Sequence, residues 1–379
     1  MMKTQLKKYV SKIHLILGLG SGLVVFILGI TGAVYCFAPE LESLQPYRHV
    51  AKSDQRYLPP SQIKEIAEKQ LPGKQVQRIY YYRNDKAAMV LLSKKDEYSY
   101  FVFINPYSGK VLKIRNNNTD FLFLVLQIHR TLLVPYGHDI IRWSTVIFVI
   151  LMLSGIILWW PKNRRTSKHG FRVMWRASPK RLNYDLHKVL GFYVTWVAIF
   201  TAVTGLMFAF PGFADVVYKI TGSNHSFVVK RPPSSDTTVQ NTNAATAVDV
   251  LWQNPRLDFK QYASLMFVFP ATKTGPILLR ANPNEKTIYR TDFIYFDQNS
   301  GKEIPGAYVW GHYKDARTLS DNIRRMNYDI HTGAILGFPG RVALFFVALI
   351  VASLPVTGFL FWYGRMFKRR KKRKDAVYG

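Results

Sequence analysis

The sequence predicts an integral membrane α-helical protein with four transmembrane helices, laid out as two tandem repeats of span, external α+β segment and span. Three observations carry that expectation. Four long runs hold no ionised side chain past their opening residues; the runs resemble one another in pairs; and blocks of Lys and Arg lie at their ends. At ~1.5 Å of rise per residue, each run is long enough for a hydrocarbon core of ~30 Å.

The first run, Lys12 to Pro39, recurs as Asp185 to Pro211. His14 is followed by Gly18, Thr31, Gly32 and Pro39, and His187 by Gly191, Thr204, Gly205 and Pro211. Every landmark keeps its offset except the proline, which slips by one. The other two runs, Trp143 to Pro161 and Val342 to Gly364, also match. Each follows an arginine (Arg142, Arg341), carries Ser154-Gly155 or Thr357-Gly358 two-thirds of the way along, and ends in an aromatic pair before a basic block. Aromatic pairs there suit a membrane interface.

The formal net charge of +29 admits two readings, nucleic-acid binding or cytoplasmic flanks of spans. Position decides for the second. The basic residues gather before the first run, between Lys162 and Arg181, and after Arg365, and no folded basic domain is present to bind a nucleic acid. The positive-inside rule then predicts a cytoplasmic N-terminus (1–12), a span (13–38), an external domain (39–120), an interfacial segment (121–137) and a second span (138–161). A basic cytoplasmic loop (162–184) leads to a third span (185–211), a second external domain (212–325), an interfacial segment (326–338), a fourth span (339–364) and a basic cytoplasmic tail (365–379). The first run is too long for a signal-peptide core and lacks a small-x-small cleavage site, so it is read as retained. A single cysteine, Cys36, excludes an intrachain disulfide and a Cys-x-x-Cys-His haem attachment.

The external segments read as related small domains. In the first, a helix is expected over Ser61 to Leu71 and strands near Gln75 to Tyr82, Ala87 to Leu92 and Ser99 to Asn105, closed by the turn Asn105-Pro-Tyr-Ser-Gly-Lys110. In the second, the strand Asp292 to Asp297 runs into the same turn, Asp297-Gln-Asn-Ser-Gly-Lys302. The polar stretch 232–246 is expected as a mobile loop.

Four histidines occupy equivalent places in the two halves. His14 and His187 open the outward-going spans; His129 and His331 precede the second and fourth. Pseudo-symmetry would bring His14 to His187 and His129 to His331, giving two bis-histidine sites, one at each face. No Cys, Asp or Glu accompanies them within the spans to complete a four-coordinate zinc site, whereas a haem iron takes two axial ligands in an apolar slot. Gly32 and Gly205 lie eighteen residues beyond His14 and His187, five turns along the same face, where they would let a porphyrin plane approach; Gly18 and Gly191, one turn away, would do so locally. Close helix packing is the competing role for all four glycines. Arg142 and Arg341 are placed to meet haem propionates, or to anchor the spans at the interface.

These residues resemble the PepSY-associated transmembrane proteins, a family that includes inner-membrane ferric-siderophore reductases. The resemblance rests on Lys12-x-His14 with its glycine-rich span ending at Pro39-Glu40, on the Asn105-Pro-Tyr-Ser-Gly-Lys-Val-Leu112 turn that ends a PepSY domain, and on His129-Arg130-Thr-Leu-Leu133. Leu158-Trp-Trp-Pro161, Leu186-His-Lys188 and Gly205-Leu-Met-Phe208 extend it over almost the whole chain. It implies a bacterial inner-membrane protein with PepSY-like domains in the periplasm and two b-type haems, ligated by His14 with His187 and His129 with His331. Electrons would pass from the cytoplasmic face to iron bound outside. Asn105, where aspartate is commoner, and the polar insert are its departures from the family pattern.

The expected activity is therefore that of a haem-dependent ferric-siderophore or ferric-chelate reductase serving iron uptake. No Gly-x-Gly-x-x-Gly follows a strand, so the electron donor is expected to be a separate cytoplasmic protein or a membrane quinol. The basic flanks would meet anionic lipid. Two rivals differ in class. One is a haem-free protein that binds or regulates a periplasmic partner or peptidase; the other is a transporter, disfavoured by four spans that lack acidic residues and broken helices, Pro355 apart.

Overall fold

In the computed structural model of the chain, residues 2–83, 85–161, 170–223, 233–238, 244–253, 261–306 and 310–378 are described. The chain divides into one unit of Met1–Phe37, Val125–Phe210 and Ile330–Gly379 and another of Ala38–Leu124 and Pro211–Asp329.

Among the described residues, the first unit holds four helices long and apolar enough to cross a membrane, over Gln5–Tyr35, Gly137–Trp159, Pro179–Ala209 and Ala334–Met366. Their outer limits differ from those expected. The first helix begins at Met2 and ends at Tyr35, and the fourth runs on to Tyr378, so the basic flanks read as plain tails are helical. Residues 162–169 of the basic loop lie outside the described residues. Helices stop short of Pro161 and Pro211, because the residue before a proline is pushed out of helical geometry, and the last helical residues are Trp159 and Ala209; the first helix ends at Tyr35, and a short helix, Ala38–Ser43, carries Pro39 in its first turn. The third span opens as Pro179–Asp185, passes through one π turn at Leu186–Leu190, and continues as Gly191–Ala209. The segments read as interfacial contain helices too, Phe121–Thr131 and Leu319–His331.

Val25, Met152, Val194, Ala198, Ala202 and Val351 make the buried centre of the bundle. Glycine sets its tightest seam. A Cβ on Gly29 would lie 2.8 Å from the Ala352 Cβ and 2.9 Å from the Ala348 carbonyl, and one on Gly22 would lie 3.2 Å from the Pro355 Cβ. The first and fourth spans therefore meet through small residues, as membrane helices do when apolar lipid removes the drive to bury larger ones.

The second unit is built on one antiparallel sheet of eight strands: β1 Val76–Tyr82, β2 Ala88–Lys94, β3 Tyr98–Ile104, β4 Val111–Asn116, β5 Ser264–Val268, β6 Ile277–Asn282, β7 Asp292–Phe296 and β8 Glu303–Ile304. The order is β4-β3-β2-β1-β5-β6-β7-β8. The two segments read as separate domains thus share a sheet, joined where β1 pairs with β5 in the register Tyr80 to Met266. Four strands from either segment would leave an open edge at β1 and at β5, and pairing the two removes both.

One face of the sheet carries Ile79, Tyr81, Val90, Leu265, Phe267 and Leu279, packed under the helices Pro60–Gln70 and Ala244–Trp252. Those helices are tied across the two segments. Asp249 accepts from the backbone N–H of Ser61 at 2.9 Å and from its hydroxyl, a carboxylate where the first helix has unpaired N–H groups.

The two turns match as read. Asn105 and Asp297 each accept the N–H of the residue two along at 2.9 Å, and Gly109 and Gly301 take positive φ of 74° and 68°. The polar insert is not loose throughout: Ser235 donates to Thr274 and Gly275 carbonyls, Asp236 reaches the Asp297 carboxylate, and a helix starts at Ala244. Residues 232 and 239–243 of that stretch lie outside those described.

Candidate functional site

All four histidines belong to the bundle unit, and they come together in the expected pairs. The ring centres of His14 and His187 are 6.4 Å apart with planes at 90°, and those of His129 and His331 are 6.3 Å apart with planes at 69°.

Each ring is held at Nδ1 by a hydroxyl from a different helix. His14 meets Ser154 at 2.8 Å, His129 meets Thr31 at 2.9 Å, His187 meets Thr357 at 3.0 Å, and His331 meets Thr204 at 3.0 Å. The direction of these bonds follows from where the hydroxyl protons already go. Ser154 donates to Leu151, Thr31 to Ile27, Thr357 to Ser353 and Thr204 to Phe200, the usual back-bonding of Ser and Thr within a helix. Each hydroxyl oxygen therefore accepts, and each Nδ1 carries the proton. His187 and His331 add a second reason, since their Nδ1 atoms also lie 3.0 Å from the Leu354 and Thr201 carbonyls, which can only accept. The lone pair is left on Nε2, as in a metal-ligating imidazole whose other nitrogen is fixed by an outer partner.

A glycine follows every one of those hydroxyl residues, and each sits against the same histidine. A Cβ would lie 3.3 Å from His129 Cε1 at Gly32, 3.3 Å from His331 Cε1 at Gly205, 3.1 Å from His187 Cε1 at Gly358 and 3.7 Å from His14 Cε1 at Gly155. The unit of construction is a hydroxyl residue then glycine: the first orients the ring and the second makes room for it. Each of the four spans supplies one such pair.

Sequence reasoning placed Gly32 and Gly205 at the far ends of their helices, and the structure sets them against the far histidines themselves. A Cβ added at Gly18 or Gly191 would meet Leu151 at 3.9 Å or Leu354 at 3.6 Å, ordinary contact, and no histidine. Arg341 is buried at 3% exposure. Arg142 pairs with Asp139 at 2.8 Å and lies 4.6 Å over the Phe210 ring. Gly155, Gly358 and the four hydroxyls were missed as site residues, although Ser154-Gly155 and Thr357-Gly358 stood out as repeat landmarks. Nor did the sequence single out Asp185, buried two residues before His187 and bound to Arg181 at 3.0 Å.

The donor set fits a haem iron. Among the described residues no three His, Cys, Asp or Glu side chains converge on a metal position, so each pair offers two imidazoles, fewer than zinc takes from a protein and the number an iron already held by a porphyrin needs. An imidazole nitrogen bonds a metal at about 2.0–2.1 Å, so one ion held between two such rings would call for ring centres about 6 Å apart. Both pairs have that spacing. An edge-to-face ring contact can have it too, but such a contact would not need the same nitrogen tethered four times.

The profile of the PepSY-associated TM region family matches residues 11–365. The chain belongs to the PepSY-associated TM region family. It is a multi-pass membrane protein with the four spans described above, and its histidine pairs fall within the family's matched region. A search of characterised proteins returns no match to this chain.

The tethers carry their own expected outcome. Thr31→Val keeps the shape of the side chain and removes the hydroxyl acceptor of His129 Nδ1. Loss of an outer partner of this kind lowers metal affinity by roughly 10- to 100-fold, so haem titration of the purified variant should show one weakened site and one unchanged.

Proposed function

We propose that this PepSY-associated protein is a two-haem electron conduit of a bacterial inner membrane that reduces a ferric chelate, such as a ferric siderophore, on the periplasmic side. The observation that carries the reading is the twofold occurrence of a histidine pair at axial-ligand spacing, with every Nδ1 proton committed to a hydroxyl. His14 with His187 and His129 with His331 would each hold a haem b, which would supply one-electron transfer. The chain's own residues do the rest. Ser154, Thr31, Thr357 and Thr204 fix tautomer and ring orientation, the glycines admit the rings, and apolar helices keep water from them. His14 and Gly32 are about 27 Å apart along the first helix, so the two pairs belong to opposite ends of the bundle.

The basic flanks at both termini and in the middle loop support cytoplasmic ends, with the sheet unit in the periplasm. The hydroxyl–glycine pair in every span supports a tandem duplication of span, PepSY-like segment and span. The donor in this reading is a cytoplasmic flavin- or nicotinamide-linked protein or a membrane quinol, and anionic lipid meets the basic helix ends. One electron per ferric ion gives Fe(II), which hard oxygen chelators hold less tightly. The test uses liposomes with a reductant trapped inside, a ferric chelate outside and a colorimetric Fe(II) trap. Fe(II) should form outside haem-loaded proteoliposomes; formation no faster than in protein-free liposomes would contradict the reading.

A further inference from the structure

The sheet has a second face, opposite the core and the helices Pro60–Gln70 and Ala244–Trp252. Arg78 and Tyr80 of β1, Arg280 of β6, and Phe293 and Tyr295 of β7 lie on it, because the residues between them, Ile79, Leu279 and Ile294, belong to the core. The register aligns Tyr80, Met266, Arg280 and Phe293 in one row across four strands, and Arg78, Val268, Leu278 and Tyr295 in the next. Arg78 and Arg280 are thus in adjacent rows, two strands or about 10 Å apart laterally.

Arg280 is half-buried, with its guanidinium 4.8 Å over the Phe293 ring. Stacking occupies the flat side of a guanidinium and leaves its N–H groups pointing outward in the plane. Among the described residues neither Arg280 nor Arg78 forms an ion pair or a side-chain hydrogen bond. Other cations of this unit are matched: Lys86 with Glu285, Arg115 with Glu42 at 2.7 Å, and Arg325 with the Thr291 and Gly311 carbonyls at 2.8 Å. The titratable groups acting on Arg280 are Tyr80, Arg78 and Tyr295, with no carboxylate among them, and burial is the main cause lowering its pKa. A partly desolvated cation beside a like charge is unfavourable unless an anion arrives.

The geometry points to a binding site for a small polycarboxylate, gripped by Arg78 and Arg280 and flanked by the Tyr80 and Tyr295 hydroxyls. Two forked cations set apart by two strands suit a ligand with separated carboxylates, whereas a compact phosphate is usually met by a helix N-terminus or a nest of N–H groups, and the site lies mid-strand. That the arriving polycarboxylate is a ferric chelator rests on the proposed function; the anion site does not.

The test is calorimetric titration of the full chain in detergent with citrate alone and with ferric citrate. Binding that falls about tenfold or more in Arg280→Gln and Arg78→Gln, and is unchanged in Arg290→Gln, supports the site. If only ferric citrate binds, the source is the chelate; if both bind, free carboxylates are ligands as well. Absence of binding by either probe, or equal binding in the Arg78 and Arg280 variants, overturns the proposal. Should Arg280→Gln fail to fold, Arg78→Gln carries the test, since Arg78 is exposed. Haem content is read separately by its visible spectrum, so loss of the conduit reading and loss of this site are distinguishable.

Discussion

His331→Ala should leave the chain with one haem where the proposed conduit calls for two. The substitution removes one axial nitrogen from the pair with His129 and leaves His14 and His187 intact. It should do so without unfolding the bundle, because it orphans no buried donor: Thr204 still donates to the Phe200 carbonyl at 2.7 Å, and the Thr201 carbonyl keeps its place in the helix. The space left adjoins Gly205, and filling or collapsing it costs about 2–3 kcal/mol, within the range of large-to-small changes. His138 offers no replacement, being exposed at the start of the second span. A pyridine haemochrome count should read half the natural value, with unchanged helical circular dichroism. His129→Ala should give the same spectrum as His331→Ala, and His14→Ala should match His187→Ala, because loss of either partner empties the same site. Four distinct spectra from the four variants would refute the pairing.

Gly358→Leu should empty the other site while keeping all four histidines. A Cβ at Gly358 would stand 3.1 Å from His187 Cε1 and 3.5 Å from its Nδ1. An alanine there forces the ring to yield by a few tenths of an ångström, and a leucine occupies the ring's volume. The expected result is partial loss of low-spin haem in Gly358→Ala and complete loss of one haem in Gly358→Leu. Gly205→Leu should do the same to the His129 and His331 site, where the Cβ would lie 3.3 Å from His331 Cε1. Gly18→Ala and Gly191→Ala are the controls. Their added methyls would meet leucines at 3.9 and 3.6 Å, ordinary contact, and alanine favours a helix over glycine by about 1 kcal/mol. Unchanged haem in these two variants and loss in the first two would separate the glycines that admit histidine from those that only pack.

Much of this site was legible because duplication repeats its marks. Two histidines at equal offsets in two halves imply a meeting that neither would imply alone, and both meetings occur at nearly the same ring distance. The hydroxyl–glycine pairs were visible as landmarks, but not as ligand supports. Thr31-Gly32 serves His129 and Ser154-Gly155 serves His14, each across a helix interface that no periodicity within one helix reports. The sheet was harder for a similar reason. β1 and β5 are separated by more than 180 residues of chain, so their pairing is invisible to local alternation, and each segment alone looked like a domain. β5 and β6, of five and six residues, are too short to stand out beside Pro270 and Gly275. The π turn at Leu186–Leu190 likewise has no sequence signal in a run that otherwise copies the first span.

The most direct measurement is the visible spectrum and haem count of the natural chain, purified in detergent from haem-replete cells. The account expects two b-type haems per chain, both low-spin when oxidised and when reduced with dithionite. A colourless protein would contradict it, and would move attention from the histidine pairs to the eight-stranded sheet.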